Sequence, residues 1–317
     1  MKEIKIININ KNNKDTNKYI HKFDYTLIVI VLFLILILMK LYTKNKENVV
    51  SIDIYKCKIV KGKLLNRFKP FNFAEEFTFL TELISCDIPF SFSRFNDGEY
   101  SIMNGKKFYT KRDKWNWNSD NKNVQNSLIE SSNICNYNNG FIGIPCMIWK
   151  KMAESIISFS NCSSSKFMSY STVFINKNFE NFKSWIIKYI YSSNRRKIIL
   201  IANSLINVNI SWAYKFFPVP NHLVENWNNY IPSLLSKLSE IAKFNNLIFF
   251  ISAGPAANII ISYLIKINNK NIYIDFGSAI EFITKGYSTR NYYKKSIENP
   301  NYKCSSFIIK NGRIIYE

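Results

Sequence analysis

The chain has 317 residues, 47% of them hydrophobic and 16% aromatic, with a formal net charge of +21. That is apolar material for one core of about 250 residues or two smaller lobes. The charge names no partner: the first 24 residues hold six lysines against Glu3, Asp15 and Asp24, a net of +3, and the remaining +18 is spread without a basic stripe or arginine-rich arm, so nucleic acid is not expected. Cys57, Cys86, Cys135, Cys146, Cys162 and Cys304 are widely spaced, and His21 and His222 are the two histidines, which excludes a structural zinc or haem site by pattern. A Cys-His or Ser-His-Asp machine would rest on His222 alone. The cysteines read as small buried apolar residues.

Residues 1–24 form a polar N-terminal tail. From Tyr25 to Met39 the sequence reads YTLIVIVLFLILILM, and Leu41-Tyr42 extend it past Lys40, which can snorkel. Eighteen residues at 1.5 Å each reach roughly 27 Å, so residues 25–42 are expected to span a membrane. A long polar leader and the bulky, charged LYTKNKENVV that follows argue against a cleaved signal peptide. Lysines flank both ends, more of them on the N-terminal side, which favours a single-pass type II protein with its domain in the lumen. There Asn161-Cys162-Ser163 and Asn209-Ile210-Ser211 could accept glycans.

Residues 43–69 are polar and lysine-rich without periodicity and read as a stalk, leaving 70–317 as the folded domain. In that domain NFAEEFTFLTELISC is helical with Asn72 as N-cap, PFSFSRF a strand, NVQNSLIESSNICNY a helix, GFIGIP a strand and MIWKKMAESIISF a helix. FKSWIIKYIYS and KIILIAN repeat the alternation, followed by WNNYIPSLLSKLSEIAKF, with Pro232 in its first turn, and LIFFIS. ANIIISYLIKI and NIYIDFG complete it. Strands apolar at consecutive positions are buried on both faces, so the fold class is α/β, a Rossmann-like, mostly parallel sheet flanked by helices and preceded by one transmembrane helix.

Ligands of open parallel sheets sit at the carboxyl ends of strands, and three such ends carry unusual residues. After PFSF comes Ser93-Arg94-Phe95-Asn96-Asp97-Gly98-Glu99. Two carboxylates around a glycine suit Mg²⁺ or Mn²⁺, although Asn-Asp-Gly is equally a plain turn. After LIFFI comes Ser252-Ala253-Gly254-Pro255-Ala256-Ala257, where glycine and proline before a helix leave free N–H groups for a phosphate or form an ordinary connection. After NIYI comes Asp275-Phe276-Gly277-Ser278-Ala279-Ile280-Glu281, with Thr289-Arg290 beyond. Its carboxylates could act as base for an acceptor hydroxyl or bind a ribose, Arg290 could pair with a phosphate, and a solvated Glu281 without a role fits the spacing as well.

These three stretches, in this order, resemble the GT-D fold glycosyltransferases, whose Rossmann-like domain carries an Asp-x-Glu motif within Arg-Phe-Gly-Asp-Gly-Glu. The segment here is Arg94-Phe95-Asn96-Asp97-Gly98-Glu99, and the likeness runs through GFIGIP, IILIAN ending at Asn203, Val219-Pro220, ISAGPAAN, and YIDFGSAIEF with GYSTRNYY, about residues 75 to 293. The resemblance implies that Asp97 and Glu99 hold Mn²⁺ or Mg²⁺ with a nucleotide diphosphate sugar, a UDP-sugar in the first instance. It further implies substrate contacts at Arg94, Asn203, Gly254, Pro255, Ser278 and Arg290, and catalysis by Glu281 or Asp275. Asn96 stands where the family has glycine, a replacement that left-handed backbone would allow. Ser278 stands where some members have histidine, and their acidic residue maps loosely to Glu281.

The expected activity is transfer of a sugar from a nucleotide diphosphate donor to a glycan or glycoprotein acceptor. Another nucleotide-using α/β enzyme and a catalytically inactive membrane-tethered binding protein are the alternatives, since a fold alone does not fix chemistry. Convergence of Asp97, Glu99, Gly254 and Glu281 on one cleft would separate enzyme from binding protein.

Overall fold

The structure is a computed structural model that describes residues 14–110, 115–290 and 304–316, except 119, 138, 163, 194, 206, 207, 222 and 312; side chains are described for 27–41 and from 54 onward, without that of 115. His222 and residues 291–293 of the family-like stretch lie outside this set. Two compact units divide the chain, Met1–Lys58 and Ile59–Glu317.

Helix α1 (Lys14–Leu65) carries the N-terminal apolar run, and the described side chains there, Leu27 to Leu41, are all solvent-exposed. Among the described residues no helix is long and apolar enough to cross a membrane. The ends of the expected span, residues 25, 26 and 42, lie outside the described side chains. The stretch expected as an aperiodic stalk is helical as far as Leu65, and its last part belongs to the second unit: Val60, Leu64 and Arg67 are buried. Arg67 explains why a lysine-rich segment docks. Its guanidinium pairs with the fully buried Glu76 carboxylate at 2.7 and 2.9 Å and lies 5.1 Å from the Phe79 and Phe141 ring centres.

In the second unit, α2 (Phe73–Ser85) starts at Asn72, whose side chain accepts from the Glu75 N–H at 3.0 Å, as its N-cap position requires. There follow β1 (Ser91–Arg94), α3 (Asp97–Met103), a hairpin of β2 (Phe108–Thr110) and β3 (Trp115–Trp117), α4 (Lys122–Ser131), β4 (Gly140–Ile144), α5 (Lys150–Phe159) and β5 (Met168–Tyr170). Then come α6 (Phe179–Ile190), β6 (Lys197–Asn203), β7 (Lys215–Val219), α7 (Trp227–Ala242), β8 (Leu247–Ile251), α8 (Ala256–Ile267), β9 (Ile272–Asp275), α9 (Glu281–Thr284) and a terminal hairpin of β10 (Phe307–Lys310) and β11 (Arg313–Tyr316). The seven central strands are ordered β5-β4-β1-β9-β8-β6-β7 and every pairing among them is parallel. Helix α8, apolar on most of its faces, packs on β1, β9, α4 and α7.

Pro232 is the sixth residue of α7, past the first turn where it was expected. It withholds one N–H from the helix ladder there. The cysteines are not free apolar fillers: among the described residues none is free, and disulfides join Cys135 to Cys162 and Cys146 to Cys304.

The core fixes the strand ends that matter for the site. Phe95 and Phe276, the residues directly after β1 and β9, are both fully buried. Phe276 meets Phe174 at 4.8 Å and Phe250 at 4.9 Å between ring centres, edge to face, while the Phe95 N–H donates to Gly143 O at 2.9 Å. Each such ring contributes about 2 to 3 kcal/mol of burial, which holds Arg94 and Asp275 at the rim.

Candidate functional site

Parallel pairing puts the carboxyl ends of β1, β9 and β8 side by side, with Phe92 opposite Ile274 and Asp275 opposite Ile251. At about 4.8 Å per strand, the ends of β1 and β8 stand about 10 Å apart. All three stretches singled out in the sequence therefore leave the same edge of the sheet from neighbouring strands.

At the centre, Arg94 and Asp275 form an ion pair, Nε to Oδ2 at 3.2 Å, with Nη2 donating to Oδ1 at 3.4 Å. Asp275 also accepts from the Gly277 N–H at 2.8 Å. Gly277 has φ +50°, and a β-carbon on it would collide with the Arg94 guanidinium, so both backbone conformation and space demand glycine. Asp275 is 2% exposed, and burial pushes its carboxyl above the ordinary carboxylate range against the opposing pull of Arg94 and the Gly277 N–H. Arg94 Nη1 reaches Ser171 O at 3.5 Å, which brings the end of β5 into the same cluster.

The two carboxylates of the Asp-x-Glu motif differ sharply. Asn96 caps α3, its N–H donating to Glu99 Oε2 at 2.8 Å and its Oδ1 accepting from the Ser171 hydroxyl at 2.6 Å. Its φ is −131°, so left-handed backbone is not why asparagine stands there; its side chain is tied to β5 instead. Asp97 is exposed and Glu99 is buried. Burial, aided by the charges of Asp275 and Asp97 and opposed by the Asn96 N–H, pushes the Glu99 carboxyl up to about 7. The charges of Asp97 and Asp275 both act on Glu99. Among the described residues no group of three or more His, Cys, Asp or Glu is arranged to hold a metal ion by itself. Asp97 and Glu99 present oxygen donors only, the chemistry a hard cation such as Mg²⁺ takes when a ligand's phosphate oxygens complete its shell.

Gly254 lies in the turn from β8 to α8 with φ +55°, and a β-carbon there would meet nothing within 4 Å. Pro255 is the N-cap of α8, and the first-turn residue Asn258 donates Nδ2 to Arg94 O at 2.8 Å, locking the start of α8 to the end of β1. Asn258 is fully buried, and its Oδ1 has no hydrogen-bond partner among the described residues. Sequence reasoning missed Asn258 and Ser171. A lone asparagine in the apolar run ANIIISYLI was a readable signal for the first; nothing in the sequence marked the second.

The other expected site residues are less directly engaged. Glu281 is 7% exposed, and both its oxygens are occupied: Lys285 Nζ at 2.8 Å on one, the Thr289 N–H at 3.0 Å and hydroxyl on the other. Ser278 lies in the short turn between Asp275 and α9. Asn203 ends β6, two strands from β9, and its Oδ1 accepts from the Leu205 N–H at 2.7 Å. Arg290 is half-buried, just past the Thr289 that holds Glu281.

No family model matches the chain, and no curated protein matches it either. Two solved structures are similar to it. One is described as "The highly conserved domain of unknown function 1792 has a distinct glycosyltransferase fold", the other as the selenomethionine-substituted structure of domain of unknown function 1792. Each is 13% identical and covers 73% of this chain and 85% of its own, with TM-scores of 0.46 and 0.45.

Proposed function

We propose that this chain is a metal-dependent glycosyltransferase that moves a sugar from a nucleotide diphosphate donor, a UDP-sugar in the first instance, to a hydroxyl of a glycan or glycoprotein. The observation that carries this reading is convergence: the buried Arg94–Asp275 pair, the Asp97 and Glu99 carboxylates and the open turn at Gly254 meet at one sheet edge. Carboxylates held so close that one is pushed up to about 7 form a titratable cluster, and groups perturbed in this way concentrate at functional sites.

In this reading Asp97 and Glu99 hold Mn²⁺ or Mg²⁺, which when bound supplies the positive charge that stabilises a departing diphosphate. The first N–H groups of α8, reached past Gly254 and Pro255, receive phosphate oxygens. Arg94 orients Asp275, and Asp275 takes the acceptor's proton, its raised carboxyl suiting that task. Glu281 then holds the Thr289-Arg290 segment in position, with Arg290, Ser278 and Asn203 along the donor's path.

Residues 25–42 are proposed to anchor the protein, supported by the exposed apolar side chains of Leu27 to Leu41. The disulfides Cys135–Cys162 and Cys146–Cys304 suit an oxidising compartment, which supports a domain on the lumenal side. The test is release of UDP from a panel of UDP-sugars by the purified full-length chain with Mn²⁺. Sugar-dependent UDP release that stops with chelator supports the proposal, and no turnover or binding across the panel refutes it.

A further inference from the structure

At the opposite edge of the sheet, the amino ends of β6, β7 and β8 surround an open cleft of about 940 Å³, a volume suited to a ligand of a few rings. Arg195, Arg196, Lys197 and Lys215 line it against the single carboxylate of Asp87. The cations are of two kinds. Arg196 is committed to Asp87, through its carboxylate at 3.1 Å and its carbonyl at 2.6 Å, and to Lys270 O at 3.0 Å. Arg195 is committed to the carbonyls of Ile190 and Trp212, both at 2.7 Å, so its charge meets no carboxylate among the described residues. Lys197 and Lys215 are exposed and form no ion pair among the described residues; Lys197 Nζ lies 4.5 Å above the Tyr214 ring and Lys215 Nζ 5.3 Å from that of Phe217.

Tyr214 and Phe244, 62% and 68% exposed, flank these cations, and Asn245 and Asn246 add side-chain amides. Charge, ring faces and amides at one water-facing cleft call for a ligand with isolated negative groups, flat apolar faces and hydroxyls. We propose that this cleft binds an acidic oligosaccharide, a carboxylate-, sulfate- or phosphate-bearing glycan, at a place separate from the carboxyl-edge site. The guanidinium forks that read nucleic acid phosphates and bases are here spent on backbone carbonyls and on Asp87, and the cations without an ion pair among the described residues are lysines, point charges that suit single acidic groups. Phe244 offers its face to the C–H side of a sugar ring, while Tyr214 holds the Lys197 ammonium over its own ring. The inference stands without the transferase reading.

The test is calorimetric titration of the full-length chain with a galacturonic acid tetrasaccharide, with maltotetraose and a four-residue oligothymidylate as comparators. The acidic tetrasaccharide should bind and maltotetraose should not; Lys197→Ala with Lys215→Ala should weaken binding about tenfold, as expected for losing two charges at a solvated site. Phe244→Ala should weaken the tetrasaccharide about fivefold. All three side chains are exposed, so unfolding temperature should hold. Unchanged affinity in the double lysine variant would reduce the binding to general attraction by a chain of charge +21 and overturn the site. Tighter binding of the oligothymidylate, or loss of tetrasaccharide binding in Asp97→Ala, would overturn it equally, the first in favour of nucleic acid and the second in favour of the opposite edge.

Discussion

Two buried asparagines mark the two edges of the central sheet and use their amides differently. Asn271, at the amino edge, donates to Ala242 O at 3.0 Å and Phe244 O at 2.9 Å while accepting from the Leu247 N–H at 3.0 Å, closing the end of α7 onto the start of β8. Asn258, at the carboxyl edge, donates once, to Arg94 O, and leaves Oδ1 without a partner among the described residues. Burying an amide is tolerated when its hydrogen bonds are made. Asn271 is satisfied and stabilising; the carboxyl edge keeps an unmet acceptor at Asn258, crowded carboxylates and an open glycine.

The sharpest way to break this contrast is Asp97→Ala. Asp97 is exposed and supports no core contact, so its loss should lower sugar-dependent turnover about a thousandfold, equivalent to about 4 kcal/mol, with unfolding temperature unmoved. A variant that loses stability but keeps its rate per folded molecule would make Asp97 a turn residue. Asn271→Ala should do the reverse. It takes the side-chain acceptor from the Leu247 N–H and one of two donors from the Ala242 and Phe244 carbonyls, which Asn268 also holds, so it should cost about 2 kcal/mol in denaturant titration while turnover per folded molecule stays at the wild-type value.

Much of the fold was legible because the buried strands announce themselves. KIILIAN and LIFFI are apolar at every interior position, and both are central strands. In the central sheet the strands that reading missed are those with weak patterns: MSY of β5 is three residues long, and KFFPV of β7 contains Pro218, tolerable because β7 is an edge strand. The same logic holds at the site. Asp97, Glu99 and Asp275 could be picked from strand ends, but no spacing tells that Glu99 is buried while Asp97 is not, or that Asp275 is held by Arg94 from a strand about 180 residues away. The pairing of the cysteines was likewise closed to sequence reasoning, because spacing does not determine which partners meet.

Glu99 sharpens the comparison through pH. Its folded carboxyl titrates at about 7 against 4.5 unfolded. Between those values the folded state holds a proton that the unfolded state has lost, so this group makes stability fall as pH rises through the window, and the full penalty is present above pH 7. The shift corresponds to about 3 kcal/mol, of which local relaxation leaves about 2. Glu99→Gln keeps an acceptor for the Asn96 N–H and removes the charge. The metal-free variant should therefore be about 2 kcal/mol more stable than wild type at pH 8 and no more stable at pH 4, while losing Mn²⁺-dependent turnover. Equal stability at both pH values would mean that Glu99 is solvated and the cluster relaxed.

The smallest expected effect concerns the turn before α8, and it tests whether the open space at Gly254 is a ligand's space. A β-carbon there meets no protein atom, so Gly254→Ala is opposed within the protein only by its left-handed φ of +55°, about 1 kcal/mol. If phosphate oxygens approach the N–H groups at the start of α8, the added methyl occupies their path, and affinity for UDP with Mn²⁺ should fall about tenfold, equivalent to about 1.4 kcal/mol. Lys270, exposed beyond the far end of α8, supplies the control, because its side chain stands at the edge where no donor is proposed to bind. Calorimetry of UDP and Mn²⁺ binding to Gly254→Ala and Lys270→Ala should separate them by that factor. Equal affinities would leave Gly254 as a turn glycine chosen for its φ alone, and would move the diphosphate away from α8.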